Sequence, residues 1–210
     1  MFITFEGIEG SGKSLQIQRA GSYLLSRGIP CLLTREPGGT GFGLALRRVL
    51  LDESGPARTP IGELLLYLAD RHQHLREIIE PAVRGGVVVL CDRYHDATRA
   101  YQGGARGIPL EVIESLAAML QIPDPDATVL LDIPAELALT RARIRNRSAG
   151  SASEEGRFEA EDLSFHQSVR AAYLDLARRF PARIQVVDAS GTPEEVFARI
   201  TPLLDQWTRR

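Results

Sequence analysis

The chain has 210 residues, 44% of them hydrophobic, which is enough apolar material for one substantial core and, at that length, for one domain rather than several. A formal net charge of −2 and a pI near 6.1 give no global attraction for nucleic acid or an anionic membrane surface, so any anion binding has to be local. No charged and apolar leader opens the sequence and no apolar run nears the roughly 20 residues of a membrane helix; the expectation is a cytoplasmic protein with neither membrane nor nucleic acid among its partners.

In chain order, Phe2 to Phe5 is a short run of β-branched and aromatic residues that predicts a strand. A glycine-rich turn follows, then Leu15, Ile17, Ala20 and Leu24 at helical spacing. Gly28 and Pro30 end that helix, and Cys31 to Thr34 predicts a second, buried strand. A helix around Leu44 to Leu51 precedes the breakers Gly55 and Pro56. From Pro60 a long helical stretch carries Ile61, Leu64, Leu65, Leu68, His72 and Leu75 on one side, and it runs to Gly85 and Gly86 with Pro81 expected to bend or break its last turns. Val87 to Cys91, Ala127 to Ile133 and Ile184 to Val187 are further apolar strands. Strands buried on both faces and separated by helices imply an α/β fold of three layers, a parallel five-stranded sheet between helices. Cys31 and Cys91 fall inside these strands and read as small buried hydrophobes, not as a disulfide. Ser148 to Gly156 is small, polar and glycine-containing and predicts a mobile loop, so residues 1–210 read as a single domain with a lid over about 143–160.

Gly7, Ile8, Glu9, Gly10, Ser11, Gly12, Lys13 and Ser14 spell G-x-x-x-x-G-K-[ST] between a strand and a helix, the setting that makes the match a phosphate-binding P-loop. Its glycines let backbone N–H groups point at phosphate oxygens, and the helix behind adds its positive end. Lys13 then reaches the β- and γ-phosphates of a bound triphosphate, and the Ser14 hydroxyl is a Mg²⁺ ligand. Asp92, which ends an apolar strand, takes the second Mg²⁺ position. Arg35 to Thr40 and Asp92-Arg93-Tyr94 both follow strands, at the carboxyl ends where parallel α/β sheets collect ligands. The forked guanidinium groups of Arg35 and Arg93 suit a second phosphate, with surface ion pairs as the plainer alternative.

Taken together, the P-loop, the stretch Thr34-Arg35-Glu36-Pro37-Gly38-Gly39-Thr40, Asp92-Arg93-Tyr94 and Ala100-Tyr101-Gln102-Gly103-Gly104-Ala105-Arg106-Gly107 resemble the thymidylate kinases, across essentially the whole chain. The resemblance implies transfer of the γ-phosphate of ATP to dTMP with Mg²⁺ as cofactor. It puts Arg35, Arg47 and Arg93 around the acceptor phosphate, with Glu36 in the same acceptor set, Tyr67 stacked on thymine and Arg71 at a base carbonyl. It makes Gln102 the reader of the thymine edge, Tyr101 the group that crowds the ribose 2′ position, and Glu9 the partner of the 3′-hydroxyl. For Tyr67 an ordinary core aromatic is the competing reading. The P-loop itself contains no arginine, so the sequence is similar to the bacterial type that draws catalytic arginine from its lid. Arg143, Arg147 and Arg157 are the candidates there, Lys13 and Arg93 complete the catalytic set, and Arg141 joins the ATP site. Asp188 to Pro193 resembles the segment beside the donor adenine and equally reads as a strand-to-helix turn with Thr192 as N-cap and Pro193 at the first helical position. The family also implies a homodimer packed through helices, with the stretch from Ile61 to Val83 supplying apolar surface.

Two rival readings stay open at this point. Another nucleoside monophosphate or deoxynucleoside kinase would share the P-loop and arginines and differ at Tyr67, Arg71, Tyr101 and Gln102. A GTP-binding switch would share the P-loop alone, and the sequence lacks an Asn-Lys-x-Asp stretch and an Asp-x-x-Gly after a strand.

Overall fold

The structure is a computed structural model describing residues 1–52, 55–149 and 156–209. Strands β1 (Phe2–Glu6), β2 (Cys31–Arg35), β3 (Val88–Asp92), β4 (Ala127–Asp132) and β5 (Ile184–Asp188) form one parallel sheet in the order β2-β3-β1-β4-β5. The three inner strands are the near-continuous apolar runs of the sequence, since each must bury both faces. Alternation sorts their side chains: Ile3, Phe5, Leu90 and Val129 join one core, and Phe2, Val89 and Cys91 join another with Leu64, Leu68 and Tyr94. Burying a leucine such as Leu64 or Leu68 contributes about 1.5–3 kcal/mol.

Strand β2 corrects the expectation of a fully buried second strand. It is a sheet edge, its residues are half-buried or exposed, and Cys31 is only partly covered. The other edge strand, β5, is likewise mixed. Cys91 is fully buried, and both cysteines are free.

The helices are α1 (Lys13–Ser26), α2 (Gly41–Leu51), α3 (Pro60–His74), α4 (Glu80–Arg84), α5 (His95–Thr98), α6 (Leu110–Met119), α7 (Ala135–Ala149), α8 (Gly156–Glu159), α9 (Leu163–Arg179) and α10 (Pro193–Trp207). Gly28, at φ 72°, ends the first helix region as expected. Between α3 and α4 the chain widens into a π-helical turn, Leu75–Ile79, so the helical path continues through Pro81. The wider turn moves the carbonyls that a proline ring would otherwise strike, which is why Pro81 does not break the stretch. The single apolar face predicted for α3 is two faces. Leu64, Leu68 and Leu75 are buried, whereas Ile61 and Leu65 are 47% and 49% exposed. Helix α7 takes in Ser148 and Ala149, the start of the predicted loop; residues 150–155 of that loop lie outside the described residues.

Parallel register aligns the carboxyl ends that matter. Phe5 pairs with Asp92 and Asp92 with Arg35, so the P-loop, the Asp-Arg-Tyr turn and the Arg-Glu-Pro-Gly-Gly stretch leave the sheet side by side.

Candidate active site

The loop from Gly7 to Gly12 turns on residues with positive φ. Gly10 sits at φ 76°, and a Cβ there would lie 2.0 Å from the Ala138 carbonyl oxygen, so no other residue fits. Lys13 Nζ lies across the loop, donating to the carbonyls of Gly7 (3.0 Å) and Ile8 (2.9 Å) and to Ser11 Oγ (3.4 Å). Ser14 Oγ donates to Asp92 Oδ2 at 2.8 Å, and Asp92 Oδ1 is buried without a hydrogen-bond partner. A hydroxyl and a carboxylate with an uncompensated oxygen, side by side at the end of a phosphate loop, match the hard oxygen donors that Mg²⁺ takes.

Beside the loop lies a cleft lined by Glu9, Arg35, Glu36, Arg47, Tyr67, Arg71, Arg93, Tyr101, Gln102 and Phe158, among others. Residues expected at the acceptor site from six separate stretches therefore meet in one place. Arg93 occupies a left-handed backbone position, φ 69°, uncommon for a residue with a side chain. That turn aims its guanidinium back over the loop, where it donates to the Gly7 carbonyl (3.1 Å) and to Glu9 Oε1 (2.7 Å) and lies 4.9 Å above the Tyr101 ring. The Tyr101 hydroxyl donates to Glu9 as well, at 2.7 Å from Oε1 and 2.8 Å from Oε2. Burial alone would raise the Glu9 carboxyl, but Arg93, His166, Lys13 and Tyr101 around it hold it well below the usual carboxylate range.

Arg71 is fully buried and held on several sides. Its Nε donates to Glu36 Oε2 (2.7 Å), Nη1 to Thr98 Oγ1 (2.7 Å) and Nη2 to the Tyr94 carbonyl (2.9 Å). The other oxygen of Glu36 meets His74 Nδ1 at 2.9 Å, so both oxygens of Glu36 face protein groups and its influence on a ligand runs through Arg71. Asp70 accepts from the Gly38 amide at 3.0 Å and is pushed up to about 6 by burial and by the charge of Glu36. Arg47 Nη1 donates to the Pro37 carbonyl (3.0 Å), which ties α2 to the same stretch; the Glu36–Pro37 peptide is cis. Gln102 lies in a π-helical segment, Arg99–Ala105, and its Nε2 donates to Glu63 Oε1 at 2.9 Å, leaving its carbonyl oxygen for the cleft. Tyr67 lines the cleft, where burial above all and the nearby Glu63 keep its phenol protonated far above neutral pH.

Arg157 reaches this cleft's rim, 3.1 Å from Glu63 Oε2 and donating to the Leu50 carbonyl. Arg143 is exposed on α7, and the side chain of Arg147 lies outside the described residues. Arg141 donates to the carbonyls of Ala189 and Ser190, both at 2.7 Å, and to that of Gly191 at 3.2 Å. These residues form a second, open cleft with Gly10, Gly12 and Pro193. Thr192 caps α10 through a reciprocal pair with Glu195, and Pro193 is its first residue, so the strand-to-helix reading of Asp188 to Pro193 holds while the segment also faces the P-loop.

Four buried groups went unnoticed in the sequence: Glu6, Glu63, His74 and His166. Glu63 did carry a signal, standing one turn before Tyr67 and two before Arg71 on the same helix face. The other three meet the site only through distant chain segments.

A P-loop at one strand end, an adjoining cleft with fixed arginines and a second cleft behind the loop are the parts of a P-loop phosphotransferase. The family model for thymidylate kinase matches residues 5–200. A thymidylate kinase of Desulfovibrio desulfuricans is 48% identical over 211 residues, covering 100% of this chain and 97% of that protein. One of Trichlorobacter lovleyi is 52% identical over 202 residues, covering 96% and 95%. The crystal structure of thymidylate kinase from Ehrlichia chaffeensis superposes with a TM-score of 0.76 at 32% identity over 98% of both chains. The chain belongs to the thymidylate kinase family.

Proposed function

We propose that this chain transfers the γ-phosphoryl group of ATP to the 5′-phosphate of dTMP, giving ADP and dTDP. The observation that carries the reading is the meeting of Arg35, Arg71, Arg93, Tyr101 and Gln102 in one cleft beside the P-loop. ATP lies in the open cleft behind the loop, with its phosphates on the backbone N–H groups of Gly7 to Ser14 and Arg141 beside its base. An oxygen of the acceptor phosphate, ionised at neutral pH, attacks the γ-phosphorus as the bond to the β–γ bridging oxygen breaks, so the reaction asks for no general base among the side chains. Lys13, Arg93 and Arg35 supply positive charge along that line. Arg157 on the rim, with Arg143 and Arg147 of the same lid over about 143–160, supplies the rest on closure, which also excludes water and limits ATP hydrolysis. Ser14 and Asp92 would hold Mg²⁺, which when bound neutralises charge on the β- and γ-phosphates.

In the acceptor cleft, Tyr67 stacks on the base, Arg71 and Gln102 bond its edge, Tyr101 closes the 2′ side of the sugar and Glu9 takes the 3′-hydroxyl. Glu36 belongs to this set as the residue that fixes Arg71. Exposed Phe42, Leu44 and Val49 on α2 with Ile61 and Leu65 on α3 support a homodimer through these helices, and a cytoplasmic location completes the reading. The deciding assay follows ADP release from ATP with dTMP, dUMP, dCMP, dAMP, dGMP or no acceptor. dTMP is expected to be the best acceptor; equal turnover of the other monophosphates, or ADP formed without any acceptor, would overturn the proposal.

A further inference from the structure

Several buried titratable side chains near the acceptor cleft have no task in the mechanism above, and one of them lies against Glu9 itself. His166, in the first turn of α9, is 0% exposed, and neither ring nitrogen makes a hydrogen bond of ordinary geometry. Such a group is costly unless it serves something. Its Nδ1 lies 3.4 Å from Glu9 Oε2, the side of that carboxylate away from Arg93, which holds Oε1. The Phe165 ring stands edge-on to the imidazole at 5.7 Å, so the ring is held by its neighbours as well as by its helix. Two turns further along the same face of α9, the Tyr173 hydroxyl bonds Glu6 Oε2 at 2.7 Å, the residue immediately before the P-loop. The helix therefore meets both carboxylates that frame the loop, Glu6 at its entry and Glu9 within it.

We propose that His166 is a positioning residue for Glu9, its Nδ1–H fixing the rotation of the carboxylate so that one oxygen stays on Arg93 while the group faces the acceptor sugar. This rests on the reading of Glu9 as the partner of the 3′-hydroxyl. Arg93 bonds Oε1, the Tyr101 hydroxyl stands between the two oxygens at 2.7 and 2.8 Å, and His166 meets Oε2, so the guanidinium and the imidazole hold the carboxylate from its two ends. His166 acts from the opposite wall. It touches no reacting atom, so its removal should weaken acceptor binding and leave the transfer step and ATP binding nearly intact.

The test crosses protein variants with acceptor variants. KM and kcat are measured at saturating ATP for dTMP and for 3′-deoxythymidine monophosphate, in the unaltered protein and in His166→Phe, His166→Asn and His166→Gln, with thermal unfolding of each. The unaltered protein should bind the 3′-deoxy acceptor about tenfold more weakly. His166→Phe should raise KM for dTMP about tenfold at nearly constant kcat and leave KM for the 3′-deoxy acceptor unchanged. Asparagine, whose amide nitrogen falls near Nδ1, should restore most of the loss, and glutamine, which reaches toward Nε2, should not. If His166→Phe fails to fold, the asparagine and glutamine pair decides. Equal weakening of both acceptors, or asparagine no better than glutamine, overturns the role of His166 alone. An unaltered protein that does not distinguish the two acceptors overturns the reading of Glu9 itself, and the proposal with it.

Discussion

In the proposed reaction Lys13 supplies charge at the transferred group, and its contacts to the carbonyls of Gly7 and Ile8 and to Ser11 Oγ leave the ammonium a short swing from any phosphate seated on the loop. Lys13→Ala should lower kcat roughly a hundred- to a thousandfold without unfolding the protein, as read from initial rates alongside circular dichroism. Glu36 is a different case, because both it and Arg71 have side chains only 1% exposed. Glu36→Ala leaves a buried guanidinium with one charge partner fewer, so the expected loss is about 3–5 kcal/mol of stability, measured by urea unfolding, together with weaker dTMP binding. Glu6 sets a pH dependence. Burial, helped by the charge of Asp96 and opposed by Tyr173, Arg93 and the Tyr94 amide, pushes its carboxyl from 4.5 up to about 8. The folded chain thus binds one more proton than the unfolded chain between those values. The stability this group contributes is complete below about 4.5 and is lost as pH rises through about 8. Glu6→Gln, which stays neutral, should keep its unfolding midpoint over pH 5–9 while that of the unaltered protein falls; parallel pH curves for the two would sink this assignment.

Among the elements, the π-helical segment Arg99–Ala105 and α9 form the tightest joint at the acceptor cleft. Within this π-helical segment Tyr101 turns to Glu9 and Gln102 to Glu63, so adjacent residues serve two walls of the cleft. Close approach makes this joint possible: a Cβ on Gly104 would lie 2.4 Å from Ala172 Cβ on α9, an atom that cannot turn aside. Gly104→Ala should therefore displace α9, lowering stability by about 1–3 kcal/mol and raising KM for dTMP, with KM for ATP less affected. Equal effects on both substrates would mean that α9 does not serve the acceptor side in particular. The joint was invisible in the sequence, where Gly103 and Gly104 read only as part of a family motif.

At the scale of the whole molecule, the second apolar stripe of α3 and its neighbours on α2 form the exposed apolar surface that the proposed dimer would use. On the proposed homodimer, Leu65→Arg should convert dimer to monomer in light scattering with little change in the unfolding midpoint of the subunit, since Leu65 packs into neither core; an unaltered protein that scatters as a monomer would overturn that proposal. The sequence by itself determined the five strands, the parallel sheet and the phosphate loop, because each rests on local rules: apolar runs for strands buried on both faces, glycines where a left-handed turn is required, a helix start behind Lys13. It also pointed, through contiguous motifs and the family resemblance they carry, to the arginines, tyrosines and amide that line the cleft beside the loop. Only the tertiary structure decided how those groups are held. Glu6, Glu63, His74 and His166 reach the site across distances of chain that no local pattern records, and edge exposure at β2 follows from strand order, which pairing between distant segments fixes. Burial and ion pairing arise between segments, and so the charge of Glu9, the neutrality of Glu6 and the fixed posture of Arg71 belong to the folded chain alone.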